Sequence, residues 1–148
     1  MTLITRGIRN NNPGNIDYNP RNQWQGQLPP DPAIEKRFAR FDTAENGIRA
    51  LAKLLLAYRG KDGVPGVGGP GIDTVREIIS RWAPGGENDT EAYIRAVAAD
   101  VGVQPNQPID IRNFRTLIAL TTGIIRHENG AVPYAASVIA EGVQRALA

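Results

Sequence analysis

From residue 42 onward the chain carries repeated helix start and stop signals with apolar residues at helical spacing between them, and this pattern limits the fold more than any other feature. Asp42-Thr43-Ala44-Glu45 reads as a capping box in its aspartate form, satisfying backbone N–H groups that the first turn leaves orphaned. It opens an amphipathic segment to Tyr58, with Ile48, Leu51, Leu55 and Tyr58 on one face, and Gly60 stops it. Residues 60–72 (GKDGVPGVGGPGI) form a Gly/Pro loop, too short and unperiodic for collagen. Asp73 is the expected cap of a short helix to Trp82, and Asn88-Asp89-Thr90-Glu91 that of another to Val101. Asp110 then caps a long helix through Arg126–Asn129, with Gly130 supplying the left-handed position that ends it. Pro133 suits the first turn of a last helix to Leu147.

The N-terminal segment reads differently. Positions 10–22 carry six asparagines together with Pro13, Gly14 and Pro20, which is turn chemistry. Asn15–Tyr18 and Asn22–Gln25 are expected to pair as two short strands, and PPDP at 29–32 carries the chain away. The expected fold class is mainly α within α+β: one domain over residues 1–148, a small N-terminal β-hairpin and about five helices.

Composition decides which chemistry is open. A chain of 148 residues buries ~70% of the surface it exposes when unfolded, enough for one core. There is no cysteine, hence no disulfide, thiol nucleophile or thiolate metal site, and one histidine excludes a multi-imidazole zinc site. Neither serine, Ser80 or Ser137, lies in a nucleophile elbow. Neither a metal nor a cofactor is expected. Seventeen basic against fifteen acidic residues give a net +2, with arginines scattered. That argues against a nucleic-acid groove and suits an anionic polymer such as a bacterial cell wall. No apolar core of signal-peptide length follows Met1, and Lys53 interrupts the apolar stretch Ala50–Tyr58, so neither a signal peptide nor membrane insertion is expected.

Carboxylates remain, and position sorts them. Asp42, Asp73 and Asp110 are expected N-caps, and Glu45 and Glu91 belong to capping boxes. Glu128 instead continues the face formed by Leu117, Leu120 or Thr121, and Ile124. Desolvation there and the carbonyl end of the helix dipole both favour the neutral acid that a general acid requires. The alternative is a frayed last turn with an ordinary Asn129-Gly130 cap. Asp17 has no capping role, and Glu87 precedes a cap with nothing to aim it. His127 points roughly 100° around the helix from Glu128, as a surface or packing residue. Trp24, Trp82 and Tyr93 suit either a sugar-binding groove or the core.

RGIRNNNPGNI at 6–16, WQG at 24–26, RFARFDTAENGIRALAKLL at 37–55, RWAPGGENDTEAYI at 81–94 and IIRHENG at 124–130 together resemble a lysozyme-like muralytic domain of tailed phages and prophages. The resemblance covers nearly the whole chain. In the wider superfamily a Glu-bearing helix precedes an Asn-rich hairpin; here it follows, which a circular permutation reconciles. ENDTEAYIRAV is similar to a segment of family-1 lytic transglycosylases whose tyrosine faces the catalytic glutamate, a match that falls on Thr90 and Tyr93. The resemblance implies Glu128 as catalytic acid, Asp17 as a weaker second carboxylate, and Asn11, Asn12, Asn15, Trp24, Thr90, Tyr93 and Asn129 as substrate-binding residues. It also implies a glycan-strand muramidase or lytic transglycosylase, with bacterial peptidoglycan and other virion proteins as partners. Such an enzyme belongs in the virion, or in the host cytoplasm with delivery to the periplasm or cell wall. The alternative is a non-catalytic virion or tail protein that keeps the fold.

Overall fold

All but the last α-helix start where a short polar side chain takes a backbone N–H of the first turn. In the computed structural model, which describes residues 4–85 and 89–148, Thr5 precedes α1 (Arg6–Arg9), Thr43 precedes α2 (Ala44–Ala57) and Thr74 precedes α3 (Val75–Trp82). Asp89 caps α4 (Thr90–Val101) and Asn113 caps α5 (Phe114–Asn129). α6 (Ala136–Leu147) begins after Ala135 without a side-chain cap. A 3₁₀ turn at Tyr58–Gly60 extends α2.

The five expected helices are present, with shifted starts. Asp42 is not the cap of α2: the Thr43 hydroxyl accepts from the Asn46 N–H, while the Asp42 carboxylate takes the Asn46 side-chain amide. Asp73 likewise yields to Thr74, whose hydroxyl accepts from Glu77 N–H and donates to the Glu77 carboxylate. Asp110 closes a turn through the Arg112 N–H, and the helix starts three residues later at Asn113. These shifts move Glu45 and Glu91 to second helical positions, and Glu91 pairs with Arg76 across the surface. Pro133 lies before α6, not in its first turn. Glu87 and Asn88 lie outside the described residues.

The expected β-hairpin is absent. Among the described residues there is no strand, only isolated antiparallel bridges. Asn15–Tyr18 does not meet Asn22–Gln25; it bridges to Phe38, with Tyr18 N–H on the Arg37 carbonyl and Ala39 N–H on the Ile16 carbonyl. Residues 22–25 instead enter a turn in which Gln27 N–H reaches the Trp24 carbonyl, so their backbone is not free to form a ladder. The buried Asn12 side chain does the pairing that a strand neighbour would do. Its amide donates to the carbonyls of Ile16 and Ala39, and its oxygen accepts from Ile16 N–H. The Asn-rich segment also opens with α1, a helix the turn-rich reading did not anticipate.

α2 packs mainly on α6, and α5 is held between α4 and α6. Leu51, Leu55, Ile78, Tyr93, Leu117, Leu120 and Ile124 are fully buried at their centre. Among the described residues, no helix is long and apolar enough to cross a membrane. Gly47 of α2 lies so close to the Asn-rich segment that an added Cβ would fall 1.7 Å from the Asn11 carbonyl oxygen. The segment is thus pressed onto the helical body.

Candidate active site

Glu128 lies one turn beyond Ile124 on the buried face of α5, at the penultimate helical position, where the face emerges half-exposed. Both its oxygens are held. Asn15 Nδ2 donates to Oε1 at 3.1 Å, and the Tyr93 hydroxyl donates to Oε2 at 2.9 Å. The Asn15 backbone has φ 52°, a left-handed conformation that asparagine tolerates, and this turns its amide toward the helix end. Tyr93 reaches Glu128 from α4 and is fully buried; the exposed His127 stacks on its ring at 3.8 Å between centroids. Burial first, then the neighbouring Glu128 charge and hydrogen bond, push the Tyr93 hydroxyl far above its ordinary range, so it stays a neutral donor.

Glu128 opens onto a cavity of about 260 Å³ lined also by Gly14, Asn15, Ile16, Asp17, Arg37, Phe38, Leu54, Tyr58, Trp82 and Ala83. Three aromatic rings, those of Phe38, Tyr58 and Trp82, beside the Glu128 acid in one concave site suit a sugar ring, whose apolar face stacks while its hydroxyls bond. Asp17 shares the cavity, but its carboxylate is engaged by Arg37 at 2.7 Å. Among the described residues no cluster of three or more histidine, aspartate and glutamate side chains is arranged to hold a metal ion.

The other expected binding residues do not point into the cavity. Asn129 is a tie: its amide donates to the carbonyls of Pro13 and Ile125, and its oxygen accepts from the Thr5 hydroxyl. Asn12 is buried in the backbone role described above, and Asn11 donates to the Phe41 carbonyl. The Thr90 hydroxyl donates to the Ala83 carbonyl, fixing the link behind Trp82. Trp24 packs on the core away from the cavity, with its indole nitrogen buried and unpartnered among the described residues. Tyr58, Phe38 and Arg37 also wall the cavity, beyond the residues expected from the sequence. The alternation of aromatic and basic residues in Arg37-Phe38-Ala39-Arg40-Phe41 was the available signal.

No protein-family profile matches the chain. Over 141 residues it is 39% identical to Protein P5 of Pseudoalteromonas phage PM2, a match that spans 94% of this chain and 80% of that protein. The chain belongs to the P5 family. This ties the P5-like chain to a bacteriophage protein and leaves its chemistry to be argued from the site.

Proposed function

We propose that the chain cleaves the glycan strands of bacterial peptidoglycan, with Glu128 as the general acid and then the base, within a phage particle or during release from the host. The observation that carries this reading is a carboxylate at a helix end, fixed by Tyr93 and Asn15 and facing a cavity walled by Trp82 and Tyr58. Each carboxylate oxygen keeps a further acceptor position beyond its one hydrogen bond, so proton transfer does not require the site to be dismantled. Glu128 in its acid form gives its proton to the glycosidic oxygen as the C1–O bond breaks. The resulting carboxylate then takes a proton from the attacking hydroxyl. The resemblance to lysozyme-like phage domains supports the same assignment.

Asp17 bears on the outcome. A hydrolase uses a second carboxylate to position water or hold the glycosyl cation. Here Arg37 neutralises that candidate, which favours attack by the substrate's own C6 hydroxyl and an anhydro product. Mass spectrometry of digested sacculi distinguishes the two: 1,6-anhydro-muramic ends are expected, and reducing muramic ends would make the enzyme a muramidase.

The second reading is a non-catalytic virion component. It draws on the same hydrogen bonds, because Glu128 joins α4, α5 and the Asn-rich segment as a strut. Glu128→Gln separates the two readings. For the enzyme, zymogram clearing disappears while the melting temperature stays within a degree or two, since the amide oxygen still accepts one of the hydrogen bonds. For the strut, wild type clears no wall preparation and the substitution lowers the melting temperature.

A further inference from the structure

Arg37 and Phe38 line the Glu128 cavity and also a second one of about 190 Å³. The second cavity combines an apolar wall of Leu28, Pro29, Pro30 and Pro32 with the cations Lys36 and Arg40; the Asp17-paired Arg37 and the carboxylate of Asp31 also line it. Its rim is built on the buried carboxylate of Glu35. That carboxylate accepts from Arg6, Arg9 and Asn10 and from the backbone N–H groups of Arg37 and Phe38. Glu35 is therefore saturated, and it anchors the segment that presents the cations. Arg6 and Arg37 both lie over the Phe38 ring, at 4.6 and 4.9 Å from its centroid, and the Arg6 and Arg9 side chains remain half-exposed. Charge is concentrated here. Residues 1–40 hold six basic and three acidic residues, although the whole chain is only +2. Glu35 and Asp17 are ion-paired with arginines, and Asp31, which accepts from the Ala33 N–H, leaves one carboxylate beside Lys36 and Arg40 at the cavity.

We propose that this second groove binds the carboxylate-bearing peptide stems of the peptidoglycan strand whose sugar occupies the Glu128 cavity. The proposal rests on the reading of Glu128 as the glycan-cleaving acid. Short apolar walls suit alanyl side chains, and the cations suit the free carboxylates beside them. The shared Arg37–Phe38 boundary keeps both sites within reach of one strand. A nucleic acid would need a longer track of phosphate contacts than Lys36 and Arg40 in one pocket supply.

Pull-down of the Glu128→Gln protein tests the proposal, using intact sacculi and bead-immobilised glycan strands stripped of stems by an N-acetylmuramoyl-alanine amidase. Lys36 is exposed, so Lys36→Glu is expected to keep the fold; Lys36→Glu/Arg40→Gln strengthens the effect. Each is added to the Glu128→Gln background. Loss of one charge-assisted contact should weaken binding to intact sacculi roughly tenfold, and rising salt should weaken it further. Binding to the stripped strands should not change between variants. Equal binding of the variants to intact sacculi, equal losses on both preparations, or full competition by a DNA duplex would each overturn the groove assignment. Muropeptide release by the protein with native Glu128 is scored separately. Charge-dependent, stem-dependent binding without any release would retain the groove and sink the catalytic reading; release with no stem dependence would do the reverse.

Discussion

Tyr93 ties the packing of the core to the candidate site. Its ring is fully buried and stacked on His127, and its hydroxyl holds Glu128. Tyr93→Phe keeps the ring and removes only the donor. Its expected cost in stability is about 1 kcal/mol, the net worth of one hydrogen bond, with a loss of lytic activity of about tenfold or more if the carboxylate must be held in place. A turbidity assay beside thermal unfolding checks both. Because burial and Glu128 push the ionisation of this hydroxyl far above its ordinary pH range, wild-type activity should show no loss near pH 10 that Tyr93→Phe removes. Glu128 itself was legible from the sequence: helical spacing from Ile124 and the Asn-Gly helix end singled it out. Its two partners were named as residues, but nothing in the spacing put Asn15 against it, since the two lie 113 positions apart.

At the scale of elements, the contact between α2 and the Asn-rich segment controls where Asn15 stands. Gly47 is required there by the closeness of a backbone carbonyl, which cannot swing aside as a flexible side chain would. Gly47→Ala is expected to cost about 2–3 kcal/mol and to reduce activity by displacing the segment that carries Asn15. Gly60→Ala, where an added Cβ meets nothing within 4 Å, should change stability by no more than about 0.5 kcal/mol. Chemical denaturation of both variants makes the comparison. Helix existence was readable because apolar spacing and caps act within a few residues. Helix starts were not, because Asp42-Thr43 and Asp73-Thr74 each offer two adjacent cap candidates and local composition does not rank them. The hairpin failed for a different reason. Residues 15–18 found their partner at 37–39, beyond the reach of any turn rule, and Asn12 supplied the remaining pairing.

For the whole molecule, two buried carboxylates link stability to acid. Glu35 lies well below the usual carboxylate range: the Arg6 hydrogen bond is the main cause, burial opposes it, and the Phe38 and Arg37 N–H groups add to it. Glu77 is also lowered. Burial works against its charge, but the N–H groups of Val64 and Asp73 and the Thr74 hydroxyl outweigh it. With folded values below the unfolded value of about 4.3, both contributions are fully present above that pH and fade as pH falls toward the folded values. Glu35→Gln should therefore cost about 2–3 kcal/mol at pH 7, with the gap from wild type constant down to about pH 5 and closing below about pH 4. Thermal unfolding from pH 7 to 2 measures this, and a gap that keeps its full pH 7 size down to pH 2 would refute the linkage.

What the sequence determined by itself was the helical character, the absence of thiol and multi-histidine metal chemistry, and the place of Glu128 at the end of a buried helical face. All follow from counts or from spacings within one helix. Only the tertiary structure decided that the Asn-rich segment closes onto the end of α5, that Asp17 is engaged by Arg37, and that Asn12 and Asn129 are ties. Those facts depend on which distant residues meet when the helical faces bury their apolar surface, and local sequence carries no distance information of that kind.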